Sequence, residues 1–367
     1  MDREGQMRRA LELAERGWGR VSPNPLVGCV LVRDGLIVGE GWHEGPGTEH
    51  AEAMALRVAG DRAPGATAVV TLEPCAHQGR TPPCAPALVA AGVEAVIAAV
   101  GDPNPIVDGS GFQVLRDAGL TVEHGLFGSE AIRQNLAFRT HVATGLPFVV
   151  LKMASSLDGR AAARDGSSRW ISGEAARGDV QRLRAWADAV VVGSGTALAD
   201  DPQLTVRDPA FASARPPLRV IVDPSGRVPG DGRAFDAAAP TLVATTELAP
   251  ADRRREWLDA GADVLELDRD ASGAVSLPAL VQALGKRDVQ GVLIEGGPTL
   301  AWGAVRDGIV DQVVLYLAPI LVGGRGAKGW LEGAGFAPID RAARLDVVSV
   351  DRIGEDLKVV ADVHRDR

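Results

Sequence analysis

The sequence predicts a two-domain α/β protein. Its 367 residues exceed the usual size of one domain, which is about 100–200 residues. Short apolar runs typical of buried strands alternate with segments of helical periodicity, which is the pattern of layered α/β domains. The alternation pauses within Thr144–Pro147 and then starts again. We therefore expect one domain over residues 1–145 and a second over residues 146–367.

The first half predicts a helix, a strand hairpin and then alternating helices and strands. Met7, Leu11 and Ala14 recur at helical spacing, and the run VGCVLV from Val27 to Val32 reads as a buried strand. The predicted helices are Arg3–Arg16, His50–Val58, Cys84–Ala91 and Glu130–Val142, and the predicted strands are Val27–Val32, Leu36–Trp42, Ala66–Leu72 and Glu94–Val100.

The second half repeats the alternation, beginning with the apolar run FVVLK. A strand that is followed by Gly-Gly-Pro and another helix comes near its end. The predicted helices are Glu174–Trp186 and Ala251–Leu258, and the predicted strands are Phe148–Lys152, Ala189–Val192, Leu218–Val222, Thr241–Ala244, Ala262–Leu267, Gly291–Ile294, Val310–Leu317 and Leu357–Val363.

Composition excludes several classes of protein. Three cysteines are few, and an odd number of them cannot all pair, which argues against a disulfide scaffold. A reducing compartment, the cytoplasm, is therefore expected. A net charge of −9 and 4% aromatic residues argue against a nucleic-acid partner. The polar start Met1–Gln6 does not resemble a signal peptide, and no apolar run of about 18 residues predicts a membrane span. The expected partners are small molecules.

Four residues of the first half form a candidate zinc centre. His50 and Glu52 make an H-x-E motif at a predicted helix start, and Cys75 and Cys84 follow a strand. One imidazole and two thiolates leave the fourth position of tetrahedral zinc open to water, and the metal lowers the pKa of that water. Glu52 can then carry the proton from water to a leaving amine. This is the pattern of zinc nucleobase deaminases.

Other interpretations of these residues stay open at this stage. His77 could complete a structural zinc site with four protein ligands. Cys29 lies within a strand and is expected to be a core residue. A nucleic-acid-editing deaminase with a scaffold second domain, or a regulator that has kept the zinc fold without catalysis, are further alternatives. Polynucleotide binding with its salt dependence, and a metal assay with ammonia release, would distinguish them.

The spacing of the cysteines points to one group of deaminases. Eight residues separate the two cysteines here, whereas two are usual. The segments SPNPLVG (22–28), GWHEGPGTEHAE (41–52) and EPCAHQGRTPPC (73–84) resemble the deaminase half of the bifunctional riboflavin-biosynthesis deaminase–reductases. The resemblance implies a cytidine-deaminase-like zinc domain. It departs at one position, where the family often has Lys in place of arginine. The implied contacts to the deaminase substrate are Asn24, His43, His77 and Arg80.

The second half contains a candidate phosphate site but no complete G-x-G-x-x-G motif. The sequence GSGTAL from Gly193 to Leu198 lacks the third glycine, so it is a weak dinucleotide signal. Glu295 to Leu300 (EGGPTL) runs from a strand end into a helix start, whose free N–H groups suit a phosphate. The residues alone leave a ligand-free turn equally open.

Four segments of the second half resemble the reductase half of the same family. They are SSLDGR (155–160), RWIS (169–172), residues 180–207 and IEGGPTLA (294–301). The resemblance implies a dihydrofolate-reductase-like α/β domain that uses NADPH. The implied NADPH contacts are Ala154, Trp170, Thr196, Asp200, Ser225, Gly296, Gly297, Pro298 and Thr299. The implied substrate contacts are Lys152, Ser168, Arg184, Leu204, Arg207 and Glu295, of which the two arginines suit a sugar phosphate.

The resemblance therefore implies a bifunctional enzyme of riboflavin synthesis with zinc and NADPH as cofactors. The first activity is the hydrolytic deamination of 2,5-diamino-6-ribosylamino-4(3H)-pyrimidinone 5′-phosphate. The second is the reduction of the ribosyl group of 5-amino-6-(5-phosphoribosylamino)uracil to ribityl. A homodimer or homotetramer is also implied.

Overall fold

The chain divides into two compact units, Met1–Gly145 and Leu146–Arg367. A computed structural model describes residues 1–78, 82–104, 107–211 and 215–364. No helix within these ranges combines the length and the apolar character needed to cross a bilayer. Each unit contains one sheet with its own buried core.

The first unit contains a five-stranded sheet in the order β2-β1-β3-β4-β5. Strand β1 pairs antiparallel with β2 and β3, whereas β3, β4 and β5 run parallel. The strands are β1 (Gly28–Arg33), β2 (Leu36–Trp42), β3 (Thr67–Val70), β4 (Ala95–Ala98) and β5 (Thr121–His124). The helices are α1 (Arg3–Ala14), α2 (Ala51–Ala59), α3 (Cys84–Ala90), α4 (Ser110–Asp117), α5 (Gly128–Gln134) and α6 (Leu136–Thr144).

Two glycines bring helices unusually close to this sheet. A Cβ at Gly28 would lie 2.0 Å from the carbonyl oxygen of Ala10 in α1, and a Cβ at Gly41 would lie 2.1 Å from that of Ala51 in α2. Only glycine permits such an approach of backbone to backbone. The contact at Gly41 fixes the first turn of α2 on the sheet, so it also fixes His50, the residue that precedes the helix.

The single helix predicted over Glu130–Val142 is wrong, because the chain forms two helices that meet at Asn135. The Asn135 side chain is buried and accepts a hydrogen bond from Leu26 N at 2.7 Å while it donates to Leu26 O at 3.0 Å. This pairing satisfies both backbone groups of Leu26 and outweighs the local preference for a continuous helix.

The second unit contains a nine-stranded sheet in the order β10-β9-β8-β7-β11-β6-β12-β14-β13. Neighbouring strands run parallel from β10 to β12, and the last two strands, β14 and β13, are antiparallel to their neighbours. The strands are β6 (Phe148–Ser156), β7 (Ala189–Gly193), β8 (Leu218–Val222), β9 (Thr241–Thr245), β10 (Asp263–Glu266), β11 (Gly291–Ile294), β12 (Gln312–Ala318), β13 (Leu345–Ile353) and β14 (Asp356–Val363). The helices are α7 (Glu174–Trp186), α8 (Ser194–Asp200), α9 (Ala251–Asp259), α10 (Leu277–Gly285) and α11 (Pro298–Arg306).

The order of this sheet places the ends of its central strands together. Strands β6, β7, β8 and β11 are parallel neighbours, so their carboxyl ends lie at one edge. Ligands of open α/β sheets bind outside that edge. We therefore expect a binding site among the residues that follow β7, β8 and β11.

Candidate functional site

The three predicted metal ligands converge in the first unit. His50 precedes α2, Cys75 follows β3, and Cys84 is the first residue of α3. The His50 Nδ1 lies 3.2 Å from the Cys84 Sγ and 3.7 Å from the Cys75 Sγ. All three ligand atoms lie within 4.8 Å of one another. Three elements that are distant in sequence thus deliver one nitrogen and two sulfurs to a single point.

The geometry and chemistry of this cluster suit zinc. Bond lengths of zinc to nitrogen and sulfur place tetrahedral ligand atoms about 3.5–3.8 Å apart, close to the separations seen here. Hydrogen bonds from Cys84 and His50 lower the pKa of Cys75 to about 4, while its partner Cys84 has a raised pKa. The pair therefore already favours one thiolate, the form that binds metal.

Glu52 lies beside the cluster in the first turn of α2. Only 3% of the residue is exposed, and this burial raises the pKa of its carboxyl group to about 7. Its carboxylate also interacts with the Cys84 thiol. A carboxyl group whose pKa lies near neutrality can both accept and return a proton.

Two of the predicted deaminase substrate residues contact each other. The Asn24 Nδ2 lies 2.9 Å from the Nε2 of buried His43, whose Nδ1 lies 3.2 Å from Glu49 O. Together these contacts fit a neutral ring with its proton on Nδ1. Burial lowers the pKa of His43, which also favours the neutral ring. The His43 ring packs edge-on against His50, with 5.6 Å between centroids, so this pair borders the metal cluster.

The other two predicted substrate residues have different outcomes. His77 is exposed and does not join the ligand cluster formed by the described residues, so the alternative of a closed four-ligand zinc site is not supported. Arg80 lies outside the described residues.

One buried carboxylate that the sequence analysis missed organises the loops at this site. Glu73, two residues before Cys75, accepts hydrogen bonds from four backbone N–H groups at 3.0–3.3 Å. Next to it, a Cβ at Gly111 would lie 1.8 Å from Pro74 O, so this position requires glycine. The four donors belong to Asp102, Gly109, Gly111 and Phe112.

Two further polar residues near the metal cluster were also missed. Asp102 and Asn104 follow β4, and Asn104 N donates to the Asp102 Oδ1 at 2.9 Å. Burial and the neighbouring charges of Glu73 and Cys75 raise the pKa of Asp102. The signal in the sequence is the repetition of Pro-Asn-Pro, which occurs at 23–25 and again at 103–105.

The second unit contains a large cleft at the carboxyl edge of its sheet, with a volume of about 1050 Å³. Among the residues that the structure describes, nine Lys and Arg but four Asp and Glu line it. This excess of positive charge stands out in a chain of net charge −9 and favours anionic ligands. The cations are Lys152, Arg169, Arg177, Arg184, Arg207, Arg227, Arg233, Arg306 and Lys328.

The structure brings nearly all of the residues predicted for the reductase into this cleft. Ser225 differs, since it lies exposed on the loop after β8 while its neighbours Pro224 and Arg227 line the cleft. The predicted residues among the lining are Lys152, Ala154, Ser168, Trp170, Arg184, Thr196, Asp200, Leu204, Arg207, Glu295, Gly296, Gly297, Pro298 and Thr299.

A double-glycine turn leads into α11 within the cleft. Gly296 and Gly297 have φ values of 108° and 79°, which favour glycine. A Cβ at Gly297 would lie 3.2 Å from the Thr196 Oγ1, so the turn fits closely against α8. Pro298 occupies the first turn of α11. The N–H groups of this turn suit the phosphates of a dinucleotide.

Arg184 and Glu295 form a largely buried ion pair in the same cleft. The Arg184 Nε and Nη2 donate to the two Glu295 oxygens at 2.5 and 2.8 Å, and Nη1 donates to Thr205 O at 3.3 Å. Arg184 thus meets a carboxylate of the same cleft through two of its nitrogens, and its predicted contact with the substrate stays a prediction. Burial lowers the pKa of nearby Lys152, while the charge of Glu295 opposes that shift.

Comparisons with known families match both units. Residues 1–100 match the cytidine and deoxycytidylate deaminase zinc-binding region. Residues 147–359 match the RibD C-terminal domain.

Known proteins match over nearly the whole chain. The riboflavin biosynthesis protein RibD of Escherichia coli (strain K12) is 42% identical over 97% of this chain and 98% of its own length. A structure of Acinetobacter baumannii RibD has a TM-score of 0.88 at 42% identity and covers 99% of both chains. A Thermotoga maritima structure, described as a diaminohydroxyphosphoribosylaminopyrimidine deaminase/5-amino-6-(5-phosphoribosylamino)uracil reductase, has a TM-score of 0.85 at 34% identity over 98% of both chains.

These matches confirm the predicted resemblance and the predicted fold class, a cytidine-deaminase-like zinc domain followed by a reductase domain. Full-length agreement also removes the alternatives of an editing deaminase and of a silent regulator. The chain belongs to the RibD family of bifunctional enzymes of riboflavin biosynthesis, with a deaminase domain and a reductase domain.

Proposed function

We propose that residues 1–145 deaminate 2,5-diamino-6-ribosylamino-4(3H)-pyrimidinone 5′-phosphate at the carbon that bears the 2-amino group. The observation that carries this assignment is the convergence of His50, Cys75 and Cys84 beside the buried carboxyl group of Glu52. These three residues would hold zinc, which would supply an activated water as the nucleophile. Glu52 takes a proton from that water and delivers it to the departing nitrogen, which leaves as ammonia.

The same proposal gives Asn24 and His43 the role of holding the pyrimidine. Their mutual hydrogen bond fixes both side chains at the border of the metal cluster. His77 and Arg80 complete the substrate contacts, as the family resemblance implies.

Residues 146–367 reduce the deaminated product, 5-amino-6-(5-phosphoribosylamino)uracil, in this proposal. The ribosyl ring opens to an imine, a hydride adds to its carbon, and a proton adds to its nitrogen. The Gly296–Gly297 turn would hold NADPH, which would supply this hydride. The basic cleft supports this assignment, because both NADPH and the substrate carry phosphates. The predicted residues that line the cleft divide between these two ligands, and Ser225 would meet NADPH from the loop beside it.

One incubation tests both activities. With the diaminopyrimidine substrate alone, the protein should release ammonia, and with NADPH present it should also oxidise one NADPH per ammonia. Chelation of zinc should stop ammonia release but leave the reduction of supplied uracil substrate unchanged, because the metal ligands belong to the first unit. NADPH oxidation without added substrate, or ammonia release that survives complete zinc removal, would contradict the assignment.

We further propose a homo-oligomer, a dimer or a tetramer, that buries strand β13 at its interface. This strand lies at the edge of its sheet and exposes Leu345, Val347 and Val350, the last two by 64% and 59%. An apolar edge strand open to water is unfavourable for a monomer.

The three free cysteines further support a cytoplasmic location.

The mass in solution tests the oligomer. Sedimentation should give at least twice the chain mass of 38.2 kDa, and the double substitution Val347→Glu with Val350→Lys should lower that mass. A wild-type monomer would contradict the proposal. The substitution Leu36→Glu, at another exposed apolar position, is the matched control and should leave the mass unchanged.

A further inference from the structure

The carboxylates of the basic cleft neutralise only part of its positive charge. Glu295 pairs with Arg184, as described above. Asp200 pairs with Arg169 at 3.3 Å, and Asp270 pairs with Arg306 at 2.5 Å. Within the described ranges, neither Arg207 nor Arg233 forms a salt bridge, although both line the cleft. These two guanidinium groups are therefore available to an anion.

Both backbone polar groups of Arg233 form hydrogen bonds. Its N–H donates to the Asp201 Oδ1 at 2.7 Å, and its carbonyl oxygen accepts from the Arg219 Nη1 at 3.1 Å. Asp201 directly follows α8 and has a φ of 40°, a conformation that costs energy for a residue other than glycine. The strained residue Asp201 thus fixes the position from which the Arg233 side chain extends.

Arg219 is itself an unusual anchor, because none of its surface is exposed. Its guanidinium pairs with the Asp236 carboxylate at 2.7 Å and donates to the carbonyl oxygens of Arg233, Asp236 and Ala239. A buried guanidinium is tolerated only when its donors are satisfied. Arg219 therefore holds the turn that begins at Arg233 rigidly against β8.

Arg207 and Arg233 are close enough to repel each other. Burial, Arg184 and Arg233 together lower the pKa of Arg207. The Arg233 Nη2 reaches only a weak contact, 3.4 Å from the Gln203 Oε1. Glu295 offsets only part of this repulsion on Arg207, so a doubly charged anion between the two arginines is favoured. A phosphate monoester carries that charge and matches the arginine fork.

We propose that Arg233, together with Arg207, binds the phosphate of the phosphoribosyl substrate in the reductase cleft. The inference rests on the reductase function proposed above and adds a specificity-determining residue to it. The Gly296–Gly297 turn provides N–H groups for the diphosphate of NADPH, and the KM for NADPH distinguishes the substrate phosphate from the 2′-phosphate of the cofactor.

The test compares full-length wild-type protein with Arg233→Gln and Arg233→Lys. Arg233→Gln should raise the KM for 5-amino-6-(5-phosphoribosylamino)uracil about 10- to 100-fold, the usual effect of losing a hydrogen-bonded charge. The kcat and the KM for NADPH should stay within about twofold of wild type, and Arg233→Lys should recover part of the loss. On the dephosphorylated substrate, wild type and Arg233→Gln should behave alike. Arg255→Ala removes an equal charge at an exposed position of α9 outside the cleft and is the matched control.

Calorimetric binding of the phosphorylated substrate separates the two proposals. A wild-type chain that binds it without oxidising NADPH would overturn the reductase function. An unchanged Kd for this substrate in Arg233→Gln would overturn the role of Arg233 but not the reductase function. A raised KM for NADPH with an unchanged KM for substrate would also overturn it, since Arg233 would then face the cofactor. Thermal unfolding of each variant should match wild type, because the bonds that fix this turn come from the backbone of Arg233.

Discussion

Glu52→Gln should lower the rate of ammonia release by at least about 10²–10⁴-fold, which is the usual contribution of a positioned general acid–base group. Glutamine has nearly the same shape but cannot take a proton from water. The three metal ligands do not include Glu52, so zinc content measured by mass spectrometry should stay at one per chain. Reduction of supplied uracil substrate should be unchanged. Ammonia release at the wild-type rate would contradict the proton-transfer role.

Two further variants are needed to interpret the result for Glu52→Gln. Cys84→Ser removes a metal ligand and should lose zinc and ammonia release together, which separates loss of metal from loss of proton transfer. Glu130→Gln makes the same chemical change at an exposed position in α5, and it should behave as wild type.

Glu295→Ala should destabilise the second unit by about 3–5 kcal/mol, the usual cost of leaving a buried charge without its partner. Only 11% of the Arg184 side chain and 7% of the Glu295 side chain are exposed. Arg184 would keep its charge but lose both carboxylate oxygens. Urea unfolding of the second unit measures the loss in stability, and NADPH oxidation should fall with it.

The double variant Arg184→Met with Glu295→Leu separates stability from function. Replacing both charges with apolar residues should restore part of the stability, because Arg184 is then no longer buried as a charge without its partner, although Lys152 still loses the neighbouring carboxylate. Reduction should stay impaired, because Arg184 and Glu295 both line the cleft. A double variant that recovers full NADPH oxidation would show that the pair serves only to stabilise the fold.

The sequence predicts elements well where the local pattern is strong. The bounds of Leu36–Trp42, Glu174–Trp186, Leu218–Val222 and Gly291–Ile294 agree with the structure. These segments are apolar runs or amphipathic helices whose pattern alone determines their structure. The exposed edge strand β13 was not predicted, because it buries little and so has no clear apolar alternation. The break at Asn135 depends on Leu26, 109 residues away, and no local signal reports it.

The same distinction applies to the site. His50, Cys75 and Cys84 were predictable because the chemistry of a metal ligand is carried by its residue type and spacing. The roles of Glu73 and Arg219 were not, because their partners are backbone groups of loops whose course only the folded chain defines. The pairing of Arg184 with Glu295 spans 111 residues, so no local signal in the sequence reports it.

The four hydrogen bonds of Glu73 have a consequence for engineering this deaminase. The loop that follows β4 and the start of α4 are attached to the residue that stands two positions before the metal ligand Cys75. A loop transplanted from another deaminase would bring its own N–H groups to a carboxylate that it does not fit. Any mismatch would move the backbone at Pro74, which already contacts Gly111 with no room for a methyl group. Altered substrate preference is therefore best sought by exchanging residues 73–75 together with residues 101–112.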